Sequence, residues 1–291
     1  MMNKAIGLLS IGRGIGQVMF QNNALSGGLM LVGILCNSWQ FALLAVLGNV
    51  ISTLTALICK YSREDIKNGL YGFNGTLVGI AVGVFMEVTW LSLLLLVIGA
   101  ALSSWIARLF TLQHRLSGYT APFILSVWIL LMGCNWFYPS LLLPSSAAEV
   151  VQSPDLLAAF SLNIGQVMFQ GDTIGAGLFF LLAIGINSRI NAFYVVLASS
   201  LSIFVALLME TDNVALNAGL VGYNAVLCAI ALGGKSVQSG LWAVCSILLS
   251  ILLQLLGMHW GIITLTAPFV VSVWAVIICR DFHTYNKRLL K

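Results

Sequence analysis

Two glutamine–phenylalanine pairs are the first residues in this chain whose types and spacing suggest chemistry. Gln17 precedes Phe20 by three residues and Gln166 precedes Phe169 by the same step, inside the segment IGQVMFQ, which occurs unchanged at 15–21 and 164–170. That spacing predicts amide and ring on one face of a helix. Asn74 follows Phe73 and Asn224 follows Tyr223, with Leu77 and Leu227 three residues further on. Thr120 and Thr266 open a third pair of segments, TAPFILSVW and TAPFVVSVW. Amides set between flat apolar walls make a slot for a small, planar, neutral amide. Stripping such a solute of water without replacement bonds costs about 2–7 kcal/mol, and a row of side-chain and carbonyl oxygens would offset that loss. This is recognition without bond-making. The chain has no Ser-His-Asp or Cys-His set, no helical HExxH and no Walker loop, which argues against hydrolysis and ATP-driven pumping. No catalytic residue, metal or cofactor is expected.

Plainer readings stand beside these. Gln and Asn in membrane helices often bond neighbouring helices as packing glue, and the phenylalanines could be core. Matched type and spacing in both halves shift the balance toward a shared polar path. The six cysteines form no CxxC and read as small buried hydrophobes; the three histidines are far apart. GRGIG at 12–16 follows no strand, so it is no dinucleotide fingerprint. Asp172, just after the second GQVMFQ, either shapes a pore mouth or reaches interfacial water.

The elements that must position these residues follow from composition. The chain has 291 residues, 60% hydrophobic and 8% charged, with a mean hydropathy of +1.02. A soluble domain carries roughly 25% charged residues, so lipid is the solvent here, and the fold class expected is an all-α integral membrane protein. Continuous spans are expected at 40–59, 69–86, 88–107, 118–137, 192–208, 218–233, 238–257 and 262–279; 5–35 and 158–186 each read as one further crossing, broken or re-entrant near the GQVMFQ motif. The three paired motifs recur in the same order at offsets of 149, 150 and 146 residues. Two repeats of five crossings each are expected, at 1–148 and 149–291. With both termini cytoplasmic, this layout puts all 13 Lys and Arg on one side and Glu87, Glu149, Asp155, Glu210 and Asp212 on the other. KYSREDIK at 60–67 is basic while its counterpart METDN at 209–213 is acidic, so the repeats are expected to be inverted. Inverted repeats are typical of transport proteins, with the path near the midplane between halves. Few charges lie inside the spans, which favours passive conduction over ion coupling. Lipid is the expected surrounding, nucleic acid is not an expected partner, and a bacterial inner (plasma) membrane is the expected location.

The paired GQVMFQ, GLYGFNGTLVG/GLVGYNAVLCAI and TAPF…W segments together resemble the urea transporter family, through both halves of the chain. The resemblance implies a homotrimer with one pore per protomer and urea, or a close analogue, held flat between phenylalanines along ladders of oxygen. It implies binding by Gln17 with Phe20 and Phe73 at one end and Gln166 with Phe169 at the other. Leu77 and Leu227 would complete the slots, and Thr120 and Thr266 would line the middle. Tyr223 stands where Phe73 stands in the first half, so the two slots differ. Alternatives are a channel for ammonia, water or short amides, or an ion-coupled secondary transporter.

Overall fold

The computed structural model describes residues 4–113, 115–144 and 153–289; His114 and Glu149 lie outside them. The order is α1 (Lys4–Gln17), α2 (Ala24–Asn37), α3 (Trp39–Ile58), α4 (Arg63–Lys67), α5 (Gly72–Phe85), α6 (Trp90–Gln113) and α7 (Ala121–Phe137), then α8 (Leu156–Gly165), α9 (Ile174–Asn187), α10 (Arg189–Leu208), α11 (Asn213–Asn217), α12 (Tyr223–Leu232), α13 (Val237–His259) and α14 (Ala267–Leu289). Among the described residues there is no strand beyond a single bridge between Met86 and Leu142. α3, α6, α10 and α13, of 20 to 24 residues, are long and apolar enough to cross a membrane. Large apolar side chains such as Trp39, Leu43, Trp90, Leu94, Phe204 and Leu252 point outward from them.

Other expected spans are shorter than hydropathy suggests. In place of a continuous 69–86, a left-handed Gly69 (φ +75) separates α4 from the 14-residue α5. At about 1.5 Å per residue α5 reaches about 21 Å, short of a bilayer core of about 30 Å. The second half repeats this with Gly219 (φ +70) and the 10-residue α12. The cause is steric as well as conformational: a Cβ at Gly69 would lie 2.4 Å from the Gly14 nitrogen, and one at Gly219 2.2 Å from the Leu162 carbonyl carbon. Each turn therefore presses against the backbone of α1 or α8. Apolar composition counts residues, and it misses a corner that glycine makes.

The two interrupted segments are indeed broken, and at the repeated motif. α1 stops at Gln17, and Phe20 takes a left-handed backbone (φ 60). The Gln21 N–H then donates back to the Gly16 carbonyl at 2.9 Å, closing the helix end as a Schellman turn does. After α8, a 3-10 turn at Gln166–Met168 leads to Phe169 (φ 60), and the Gln170 N–H donates to the Gly165 carbonyl at 3.0 Å. A Cβ at Gly16 or Gly165 would meet that returning carbonyl-bearing residue at 2.5 Å, which explains the glycine in the motif. Ring and amide thus do not share a helical face: the helix ends between them, and the left-handed residue re-aims the ring.

Sharp corners join α2 to α3 and α9 to α10. Ser38 and Ser188 sit there in extended backbone and accept from the Phe41 and Asn191 N–H groups, supplying partners to open helix starts. α5 lies close against α3, where a Cβ at Gly79 would be 2.0 Å from the Leu44 carbonyl oxygen and one at Gly48 2.1 Å from that of Gly75. Small residues of this kind let membrane helices approach to backbone contact. Pro122 and Pro268 fall in the first turns of α7 and α14, as expected of proline.

Candidate functional site

The middle of the site is a contact between the halves. Thr120 Oγ1 lies 2.7 Å from Thr266 Oγ1, both side chains buried. Around it, contacts recur with the halves exchanged. Phe20 packs edge-on against Phe269 (6.0 Å between centroids), and Phe169 against Phe123 (6.1 Å). The Trp128 indole N–H donates to the Ile263 carbonyl at 2.8 Å, and the Trp274 N–H to the Ser117 carbonyl at 2.9 Å. Between α2 and α9, the Asn23 amide donates to Asn187 and the Thr173 hydroxyl to Asn37.

The glutamines are oriented. Gln17 Nε2 donates to the Asn68 carbonyl and Gln166 Nε2 to that of Ala218, each at 3.0 Å. Each bond engages one N–H of the amide with backbone and holds the side chain in place.

Gln17, Phe20, Phe73 and Asn74 come together around one cavity of about 540 Å³, with Tyr71, Phe110, Gly118, Tyr119 and Pro122 among its walls and Asp65 and Arg115 also lining it. Leu77 and Leu227 are fully buried in the main core. Asn74 and Asn224 are buried too, and each ties helices together. Asn74 Oδ1 accepts the Phe123 N–H and its Nδ2 donates to the Tyr119 carbonyl; Asn224 does the same with Phe269 and Leu265. These bonds serve the open first turns of α7 and α14, the helices that present the threonines. Asn74→Ala is expected to lower stability by about 1–3 kcal/mol, because a buried N–H loses its acceptor. A thermal unfolding midpoint in detergent equal to that of the parent protein would remove Asn74 from this role.

Other polar residues at the site are not repeated in sequence. Asn49 donates to Thr76 Oγ1 in the first half and fills the space beside Gly14 and Gly72. In the second half Asn163, from α8, fills the matching space beside Gly222, accepting its N–H at 2.9 Å and donating to Ser199. Gln254 of α13 meets Tyr223, Asn224 and Thr264. A search for matching motifs passes over all three. A buried amide within an apolar run is the signal that would have found them.

Apolar spans packed around a buried polar contact between two alike halves mark an integral multi-pass membrane protein. The chain belongs to the urea transporter family, whose model matches residues 8–281. It is 32% identical over 242 residues to urea transporter 1 of Rattus norvegicus, 34% to that of Ovis aries and 33% to that of Mus musculus, each match covering 76% of this chain. These matches span 62% of the length of the relatives, all of them animal proteins. The family is one of transporters, not enzymes.

Proposed function

We propose that the chain conducts urea passively across the membrane, through a path between two inverted repeats, 1–148 and 149–291. The observation that carries this reading is the threonine contact flanked by Phe20 and Phe169, each packed on the other half's phenylalanine. Contacts that recur with partners exchanged are the mark of a two-fold relation, since residue i meets j wherever j meets i. The opposite charge of 60–67 and 209–213 supports placing that axis in the membrane plane. On this reading Gln17, Phe20, Phe73 and Leu77 form one binding slot. Gln166, Phe169, Tyr223 and Leu227 form the other, Thr120 and Thr266 bridge them, and Asn74 and Asn224 hold the threonine-bearing helices in place. The family resemblance supports a homotrimer, and the charge distribution supports an orientation with both termini cytoplasmic.

The solute bonds first to an amide oxygen, lies flat between rings, and exchanges water for threonine hydroxyl oxygens at the midpoint. Ions are refused because the path offers dipoles but no countercharge to a bare ion at mid-membrane. Purified protein in liposomes is expected to pass urea down its gradient at the same rate with or without sodium or proton gradients. Flux that demands either gradient would replace the channel with a coupled carrier.

A further inference from the structure

The two ends of the path are built differently. α6 and α13 align through matched serine bonds: Ser92 with Thr89 and Ser239 with Ser236 at their starts, then Ser103 to the Ala100 carbonyl and Ser250 to that of Ile247, both at 2.8 Å. In that register Ala107 corresponds to Gln254 and Phe110 to Gly257. The reciprocal tryptophan bonds to Ser117 and Ile263 align the following loops, so Gly118 corresponds to Thr264 and Tyr119 to Leu265.

In the first half Phe73, Ala107, Gly118 and Tyr119 line the open cavity. Their counterparts in the second half are Tyr223, Gln254, Thr264 and Leu265, which are bonded to one another. Tyr223 Oη donates to the Leu265 carbonyl at 2.6 Å and lies 3.2 Å from Thr264 Oγ1. Gln254 Oε1 accepts from Thr264 Oγ1 at 2.8 Å and from Asn224 Nδ2 at 3.1 Å. Gln254 is 3% exposed and Tyr223 9%. Sizes have been exchanged to suit. A Cβ at Gly118 would meet the Phe110 ring at 2.8 Å, whereas one at Gly257 would meet Thr264 Cγ2 at 2.1 Å. Where the first half pairs a large ring with a glycine, the second pairs a glycine with a threonine that turns inward.

We infer that Tyr223, Gln254 and Thr264 form a hydrogen-bonded collar that narrows the second-half end of the path and sets the size limit for substituted amides. This rests on the urea-channel reading. The first mouth, about 540 Å³ in volume, has room for a methylated urea, and the collar is where such a solute stops. A fixed pocket discriminates one added methylene by about 10- to 200-fold, and two methyl groups meet the collar at once.

The test compares uptake of N,N′-dimethylurea and of urea into proteoliposomes. Gln254→Ala with Thr264→Gly puts the first mouth's residue types at two of the three collar positions, and the dimethylurea-to-urea ratio is expected to rise about tenfold, at the low end of such discrimination. Tyr223→Phe keeps the ring and removes only the hydroxyl that joins Leu265, Thr264 and Gln254, so its ratio is expected to rise about twofold, a smaller step than the double variant's. If the double variant does not survive purification, the single variant decides. Wild-type vesicles that pass urea, with a ratio that no folded variant shifts, would overturn the collar alone. Wild-type vesicles closed to urea would overturn the channel reading and the collar with it.

Discussion

Thr120→Leu is expected to cut urea flux into proteoliposomes about a hundredfold, equivalent to about 2.7 kcal/mol on the barrier. The hydroxyl lies 2.7 Å from that of Thr266 in a buried contact between halves, so a solute crossing there must part the two oxygens and bond to them instead. Leucine removes one oxygen and places a branched carbon in the gap. Thr120→Val separates the two effects, since valine keeps the shape and loses only the oxygen. Its flux is expected to fall about tenfold, matching one unreplaced hydrogen bond of about 1.4 kcal/mol. If both variants retain the parent rate while eluting as the parent does in detergent, the solute does not pass between these threonines.

Gly79→Leu is expected to abolish recovery of folded protein. A Cβ there would sit 2.0 Å from the Leu44 carbonyl oxygen, a backbone atom that cannot swing aside. Overpacking of a tight site costs about 1–3 kcal/mol when side chains can adjust. Here α3 and α5 would have to separate, and α5 carries Phe73, Asn74 and Leu77. The counterpart in α12 is Ala229, fully buried, so Ala229→Gly should be far milder. The measurement is the monodisperse fraction after extraction; a parent-like yield for Gly79→Leu would show that the helices are not held at backbone contact.

Much of this arrangement was legible because the chain states it twice. Repetition pointed to a break near each GQVMFQ motif and to the paired threonines, and hydropathy identified the regions of the four long spans. Two kinds of feature escaped. Periodicity has no way to register a left-handed residue, so it put Phe20 on the same helix as Gln17 when the helix ends between them. A repeat search also rewards sameness, whereas Gln254 matters because Ala107 differs from it. Asn49 and Asn163 show the same limit: each fills the space beside glycine in its own half, but from a non-equivalent helix.

The two tryptophan bonds, from Trp128 to the Ile263 carbonyl and from Trp274 to that of Ser117, bear on how work is divided between protein and solute. Each runs from one half to the loop leading to the other half's threonine, so a carrier that rocked its repeats would sever both in every cycle. On the channel reading proposed above, these struts help hold the scaffold still while the solute alone moves. Throughput then tracks the number of molecules arriving at the entrance, with no slow reset between one passage and the next.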